Sequence, residues 1–249
     1  MIKYILFLFL FFTFAVFADS AFLADQKKFG RVMSAYREKW DTVSSILKKA
    51  DIEQNKLNIM IVSFKHEMRL DVYGKNATDK QYRLLKSYSI CAASGDLGPK
   101  RKQGDYQVPE GFYYIERFNP SSSYYLSLGL NYPNESDKKK SRASDLGGDI
   151  FIHGECVTIG CMPMTNDKIK EIYILALEAK NNGQKKIPVY VFPFEMTPEN
   201  MKKFSELYNE NRELPSFWTN LKTGYDLFIK NRNELKVSVD KKGDYIFGN

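Results

Sequence analysis

Residues 149–167 read DIFIHGECVTIGCMPMTND, and this stretch changes from a strand to a loop to a helix within one short segment. The apolar run of residues 150–152 predicts a strand that ends at His153. Gly160 permits a tight turn farther along, and Thr165 is a suitable cap for a helix that starts beside it. The chain has two histidines and three cysteines, and one histidine and two cysteines fall here. We therefore expect this stretch to set the local fold and to carry the reactive side chains.

Short β-type runs lie on both sides of this stretch, separated by loops rich in Gly, Pro, Asn, Asp and Ser. The predicted strands cover residues 58–64, 67–74, 82–91, 112–118, 124–130, 149–154 and 187–194. Their spacing predicts a mainly antiparallel sandwich or barrel rather than repeated strand–helix units. The helix after Thr165 is the one clear interruption.

Helices are predicted toward both ends of the chain. Near the amino end, apolar residues recur at intervals of three and four and predict one stripe of an amphipathic helix: Phe29, Met33, Tyr36, Trp40, Val43 and Leu47. The pattern is too short to favour a coiled coil. Near the carboxyl end, helices are predicted at 197–208 and 215–233, followed by a hairpin at 236–247 with Gly243 in its turn.

The first residues are typical of a secretory signal peptide. Lys3 precedes an apolar run from Tyr4 to Phe17, and the small residue Ala18 suits signal-peptidase cleavage. The run is shorter than the ~20 residues that a membrane-spanning helix needs, so an uncleaved anchor is the less favoured alternative. We expect an exported protein that begins near Asp19 and has no transmembrane segment after cleavage.

The expected mature chain is modestly basic. Removing residues 1–18 takes away one lysine, which leaves 36 basic against 30 acidic residues. Basic runs at 98–105 and 136–142 could face an anionic membrane or polymer, or form solvated loops. Export makes nucleic acid the least favoured partner, and none is expected.

Three interpretations compete for His153, Cys156 and Cys161. A zinc site would use the imidazole and two thiolates, but no fourth ligand lies nearby, and the other histidine, His66, falls in a bend between strands. No metal or cofactor is therefore expected. A Cys156–Cys161 disulfide would leave His153 as an ordinary strand residue. In the third interpretation, Cys161 is a nucleophile, because a glycine turn before a helix start exposes the thiol near amide dipoles.

As a nucleophile, Cys161 would give its proton to His153 and form a thiolate–imidazolium pair. The Gly154 carbonyl would hold the imidazole ring through its other nitrogen. The amides of Gly160 and Cys161 would receive the developing oxyanion. Acid–base assistance of this kind is typically worth ~10²- to 10⁴-fold in rate.

An odd number of cysteines in an exported chain leaves at least one thiol unpaired. Cys156 lacks the glycine turn and the following helix, so it is the more plausible partner of Cys91, which ends a predicted strand. That bond would leave Cys161 free. The sequence by itself does not choose among the three possible pairings.

The segment HGECVTIGCMPM resembles the signature of L,D-transpeptidase domains of the YkuD type, in which His-Gly precedes a Ser/Thr-x-Gly-Cys turn. The matching residues are His153, Gly154, Thr158, Gly160 and Cys161. A second block at 94–118 is similar to the family's glycine turn and Pro-x-Gly-aromatic strand, here Pro109, Gly111 and Phe112. The YafK-like branch is more similar still, in SYSICAASGDLGPKRKQGD, YYLSLGLNYPN and VYVFPFEMTPENM. This resemblance runs from about Asn58 to the final hairpin.

The resemblance implies a mainly β, α+β fold: a β-sandwich-like catalytic domain with an N-terminal helix and C-terminal helices. We expect a signal peptide at 1–18, an amphipathic helical segment at 19–56, the catalytic domain at 57–194 and packed helices with a hairpin at 195–249. The resemblance also implies a cysteine acyl-enzyme that acts on peptidoglycan stem peptides in the Gram-negative periplasm.

Two departures from the wider family matter. Pro163 stands where an arginine usually follows the nucleophile by two positions, which removes an expected carboxylate contact. The span between His153 and Cys161 is also shorter than in many members, which implies a reshaped acceptor side. Both fit the YafK-like branch, whose implied activity is amide cleavage that releases outer-membrane lipoprotein from diaminopimelate.

The prediction is therefore a periplasmic enzyme in which Cys161 attacks a carbonyl at the diaminopimelate centre, with hydrolysis of the amide to an attached lipoprotein as the favoured outcome. Transpeptidation through the same thioester, or a wall-binding module without catalysis, are the alternatives. Lys100, Arg101 and Arg142 are candidates for binding substrate carboxylates. Tyr124 and Tyr132 are candidates for lining the groove.

Overall fold

The structure is a computed structural model that describes residues 21–211 and 213–248. The predicted signal peptide at 1–18 lies outside the described residues. Within them, no helix is both long enough and apolar enough to cross a bilayer.

The helices are α1 (Gly30–Lys49), α2 (Glu135–Lys140), α3 (Asn166–Asn181), α4 (Pro198–Leu207) and α5 (Glu213–Asn231). Residues 21–27 are also helical and precede α1. The strands are β1 (Leu57–Phe64), β2 (Arg69–Asn76), β3 (Arg83–Ser89), β4 (Gly111–Asn119), β5 (Ser127–Leu130), β6 (Phe151–His153), β7 (Met162–Pro163), β8 (Pro188–Phe192), β9 (Lys236–Val239) and β10 (Tyr245–Gly248).

Eight strands form one sheet in the order β3-β2-β1-β8-β4-β5-β6-β7, and β9 and β10 form a separate hairpin. Among the described residues, five of the seven neighbouring pairs in the large sheet are antiparallel, while β1–β8 and β6–β7 are parallel. Strand β4 pairs with β8 through its first half and with β5 through its second, and the register shifts between Ile115 and Arg117. This α+β architecture with helices toward both ends confirms the predicted fold class.

Both faces of the sheet are covered. Along β1, Ile59 and Ile61 belong to a core shared with α1 and α3, whereas Met60 and Val62 belong to a second core with α4, α5 and the hairpin. Two-sided burial explains why β1 reads as an almost continuous apolar run. Helix α3 is buried on every side from Ile169 to Ala179, because it lies between the sheet and α1.

The apolar stripe predicted for α1 is wrong at its amino end. Phe29 and Met33 are 41% and 48% exposed, while Val32 and Ala35 are buried. Helix α1 begins only at Gly30, and its inward face near that end carries these smaller side chains. Small residues there allow α1 to approach the core closely.

The helix starts at the two predicted threonines are confirmed. The Thr165 side chain accepts a hydrogen bond from the Lys168 amide, and the Thr197 side chain accepts one from Asn200. Helix α2 was not predicted, although it lies in the basic run at 136–142. Its start is fixed by a capping box between Asn134 and Asp137, a local signal that the lysines obscure.

Candidate active site

The parallel pair β6–β7 brings the two ends of the candidate nucleophile loop together. His153 is paired with Pro163, so Cys161 lies opposite Phe151 and two residues from His153 along β6. The Phe151 amide donates a hydrogen bond to Cys161 Sγ at 3.4 Å, and the thiol lies 3.5 Å from the Asp149 carbonyl. The loop thus returns the thiol to the strand that carries the histidine.

Thr158 fixes the turn before the thiol. Its Oγ1 accepts hydrogen bonds from the amides of Gly160 and Cys161 at 3.2 and 2.8 Å, and its hydroxyl donates to the Cys161 carbonyl at 2.9 Å. One donor and two acceptor positions exhaust a hydroxyl group. The predicted oxyanion role of the Gly160 and Cys161 amides is not met in this conformation, because Thr158 already occupies both.

Both the backbone conformation at position 160 and the close approach of Gln107 require a glycine. Its φ is +135°, which side chains of L-residues rarely tolerate, and a Cβ would lie 3.1 Å from the Gln107 carbonyl oxygen. The glycine therefore allows the turn to pack against the segment that precedes β4.

His153 is held in one orientation. Its ring is 2% exposed, and Nδ1 lies 2.6 Å from the Gly154 carbonyl oxygen, as predicted from the sequence. Because a carbonyl only accepts, Nδ1 carries the proton and Nε2 is left as an acceptor. The Tyr124 ring lies over the imidazole with centroids 4.7 Å apart, so Tyr124 belongs to the site.

The electrostatics favour a neutral thiol and a neutral imidazole. Burial lowers the pKa of His153 below its ordinary value, against the opposing effects of Gly154 and Glu155. Burial also raises the pKa of Cys161, with a further rise from Asp149 that the Phe151 amide and Lys100 oppose. Both shifts oppose the predicted thiolate–imidazolium pair, which stays a prediction.

Cys91 and Cys156 are joined by a disulfide with a Cα–Cα distance of 5.4 Å, and Cys161 is the free cysteine. The bond ties the nucleophile loop to the segment that follows β3. The Cys91 amide also donates to the Pro163 carbonyl at 3.0 Å. Within 21–211 and 213–248, no three His, Cys, Asp or Glu side chains are grouped to hold a metal.

Two of the predicted carboxylate-binding residues are engaged within the protein. Lys100 is 4% exposed and donates to Asp105 at 2.7 Å. Arg101 pairs with the buried Asp137 at 3.0 Å. Both charges are thus paired within the protein, Lys100 because it is buried and Arg101 because its partner is.

The remaining predicted residues are also placed away from the thiol. Arg142 is exposed and pairs with Glu213, and with Arg101 it lines a cavity separate from Cys161. Tyr132 is buried, and its hydroxyl donates to the Leu146 carbonyl, so its predicted place in the groove is wrong. The Tyr132 ring instead fills the core beside Tyr113.

A cleft of about 270 Å³ opens beside Cys161. Its walls come from the β1–β2 turn with His66, from residues 92–97 after β3, and from the end of α4 with Leu207. The sequence did not predict His66 or Leu207 for the site. Neither residue shares a local pattern with Cys161, since only the packing of α4 and of the β1–β2 turn brings them together.

The segment that carries His153 and Cys161 is also matched in known proteins. The family model of the L,D-transpeptidase catalytic domain, YkuD, matches residues 58–191. The chain is 42% identical over 183 residues to the Escherichia coli K12 protein named "Putative L,D-transpeptidase YafK", covering 73% of this chain and 70% of that protein. The protein of the same name in E. coli O157:H7 matches to the same extent.

Two solved structures are also similar. The helical cell shape determining protein Pgp2 from Campylobacter jejuni has a TM-score of 0.45 and 20% identity, covering 74% of this chain and 73% of that one. Bdellovibrio bacteriovorus Bd1075 has a TM-score of 0.39 and 20% identity, covering 74% and 75%.

Proposed function

The chain belongs to the family of L,D-transpeptidase catalytic domains (YkuD), and from this premise we propose that Cys161 attacks a carbonyl at the diaminopimelate centre of peptidoglycan stem peptides. One observation carries the proposal. The single free thiol lies at a cleft, two residues along β6 from a histidine whose Nε2 is left as an acceptor.

The neutral state of both groups sets the order of proton transfer. His153 Nε2 accepts the thiol proton as the Cys161 sulfur bonds to the carbonyl carbon. Collapse of the tetrahedral intermediate breaks the carbon–nitrogen bond, and the imidazolium protonates the departing amine. Water, activated by the same imidazole, then converts the thioester to a carboxylic acid and restores the thiol.

We propose that the amine released in this way belongs to a covalently attached outer-membrane lipoprotein. Transpeptidation is the second candidate, and the name of the E. coli relatives favours it. In that reaction an amine of a second stem peptide, instead of water, attacks the thioester. Pro163 supports the hydrolytic proposal, because the position where the wider family carries an arginine holds no cation here.

The two reactions differ in their products. Purified protein is incubated with lipoprotein-linked sacculi and, separately, with free tetrapeptides, and the products are resolved by mass spectrometry. Released lipoprotein supports hydrolysis, whereas cross-linked peptide dimers support transpeptidation. A wall-binding module without catalysis would give neither product and would still bind sacculi.

Variants of the two central residues test the proposed chemistry. Cys161→Ser is expected to abolish product formation. His153→Gln is expected to lower the rate by ~10²- to 10⁴-fold, because the general base is lost. Lys241→Gln is a control, since this exposed side chain lies in the turn between β9 and β10 and does not line the cleft. Full activity of Cys161→Ser would exclude the thioester.

We also propose that the protein is exported to the periplasm after cleavage near Asp19. The Cys91–Cys156 disulfide supports this, because disulfides persist in oxidising compartments. Amino-terminal sequencing of protein from an envelope fraction is expected to begin within a few residues of Asp19. An intact Met1 terminus in that fraction would contradict cleavage.

A further inference from the structure

We propose that the end of α4 forms a specificity-determining wall of the cleft beside Cys161 and that this wall selects an uncharged aliphatic segment next to the attacked carbonyl. The nature of the substrate rests on the proposed function. The selection itself is a property of the cleft and is testable without peptidoglycan.

The wall lies outside the shared catalytic domain. Phe204, Leu207 and Tyr208 line the same cleft as Cys161, yet they follow the matched segment 58–191. Cys161 lines the cleft, so we infer that a substrate segment next to the reacting carbon occupies it. Residues of α4 are therefore in position to distinguish among substrates that the family domain alone would treat alike.

The wall is fixed on both sides of its exposed member. The Phe204 ring stacks on Phe194 with centroids 4.4 Å apart, and the Tyr208 hydroxyl donates to Asp96 at 2.6 Å. Leu207 lies between them in sequence and is 66% exposed. A large apolar side chain held at the rim of a cleft has no packing role in the core and is available to a ligand.

The lining residues include one lysine and no arginine, and that lysine is already paired. Lys65 Nζ donates to the carbonyls of Gly98 and Val108 and to the Glu110 carboxylate at 2.7, 3.0 and 2.9 Å, which uses all three of its donors. Asp96, at the other side, would repel a carboxylate. The His66 ring packs edge-on against Phe204, with centroids 4.9 Å apart. A carboxylate entering the cleft would therefore lose water without gaining an ion pair from Lys65.

One polar atom in the lining remains unpaired. Ser94 lines the cleft, and its buried Oγ has no hydrogen-bond partner among the described residues. A hydroxyl group can donate once and accept twice. Ser94 is thus suited to one peptide group of an otherwise aliphatic segment. The volume of about 270 Å³ is near the lower limit for ligand pockets, so the cleft holds one part of a substrate.

The test uses Cys161 as its own reporter, because it is the free cysteine of the chain. Native protein is alkylated with N-propylmaleimide or with 3-maleimidopropionic acid, and each rate is divided by that of free cysteine. We expect the propyl reagent to be preferred by at least about tenfold. Leu207→Lys should reduce this preference about fivefold or more, because it removes the apolar contact and supplies a cation to the carboxylate. Leu207→Ser serves as a second variant that removes the apolar contact without adding a charge.

Met33→Lys is the matched control, because Met33 is an exposed apolar residue on α1 and does not line the cleft. Its preference should equal that of the unchanged protein. Equal rates for both reagents, or an unchanged preference in both Leu207 variants, would overturn the proposal. If the preference holds while sacculi yield no product, the proposed function fails and the apolar selection stands.

Discussion

At the scale of single residues, the site is arranged around a thiol that is not ionised in advance. Burial acts in opposite directions on Cys161 and His153, because one is charged by losing a proton and the other by gaining one. Both effects favour the uncharged forms. The thiolate therefore has to form as the substrate is attacked.

Alkylation of Cys161 by iodoacetamide is expected to be slow at neutral pH. The pKa of the thiol lies above its ordinary value of 9.0, so the rate should rise about tenfold per pH unit from pH 7 to pH 9. The measurement is the second-order rate by mass spectrometry across this range. A rate that stays level from pH 6 to pH 8 would instead indicate a preformed ion pair with His153.

The activity should fall at acidic pH with a midpoint below the ordinary pKa of histidine. His153 must be neutral to accept the thiol proton, and burial lowers its pKa from 6.5. The value of kcat/KM is therefore expected to rise with pH to a half-maximal point below 6.5 and then level off. A midpoint above 6.5 in the free enzyme would show that another group controls this limb.

Thr158→Val is expected to loosen the nucleophile turn. The substitution keeps the shape of the side chain but removes three hydrogen bonds and leaves the Gly160 and Cys161 amides without their partner. Unsatisfied buried groups cost ~1–3 kcal/mol each in the free energy of unfolding, measured in urea. Thr158→Ser, which keeps the hydroxyl, should remain close to the unchanged protein. Equal losses in both variants would mean that the methyl group, rather than the hydrogen bonds, matters.

At the scale of elements, the site is formed where three connections meet. The loop between β6 and β7 carries Cys161, the segment after β3 is bonded to that loop through Cys91, and the end of α4 closes the cleft. Strand β7 has only two residues, so its own pairing with β6 is a weak anchor. The disulfide is the covalent link that holds the loop against the rest of the sheet.

Removing that link should cost stability. The two cysteines are 65 residues apart, and the chain-entropy account predicts a loss of about 4 kcal/mol in the free energy of unfolding for a loop of this length. The double variant Cys91→Ser/Cys156→Ser is compared with Cys161→Ser by urea unfolding. The latter breaks no bond and should unfold nearly as the unchanged protein does. Similar stability of all three proteins would refute a structural role for the disulfide.

At the scale of the whole molecule, the sheet separates two cores, and a buried acid lies where several segments join. Asp137 on α2 is 1% exposed and contacts Arg101, the Tyr113 hydroxyl on β4 and the Asn134 amide. Burial raises its pKa to about 6, despite the opposing effect of the Arg101 guanidinium. The ion pair therefore recovers only part of the cost of taking the carboxylate out of water.

This acid should give the fold a measurable pH dependence. Its pKa rises from 3.8 in the unfolded chain to about 6 in the fold, so the folded state binds more protons between these values. The contribution of Asp137 to stability is then fully present below about pH 4 and is lost as the pH rises through 6, by on the order of 3 kcal/mol. Urea unfolding of the protein and of Asp137→Asn from pH 4 to 7 measures this. The variant should lack the slope, and parallel curves would contradict the assignment.

What the sequence by itself determined is local in origin. Thr165 and Thr197 begin helices because a threonine side chain satisfies amides within its own turn, and the apolar run at 150–152 forms a strand in any context that buries it. The nucleophile motif is equally local, since Gly160 and Cys161 lie in one loop. Helix α2 was not predicted, because a run of lysines follows its capping box and obscures this local signal.

The tertiary structure decided what depends on distant partners. It paired Cys91 with Cys156, engaged Lys100 with Asp105 and Arg101 with the buried Asp137, placed Tyr132 in the core and brought Leu207 to the cleft. Burial in the fold also lowers the pKa of His153 and raises the pKa of Cys161. The physical reason is common to all of these. Burial and long-range pairing set the energies of charges and thiols, and both exist only once the sheet and helices have packed.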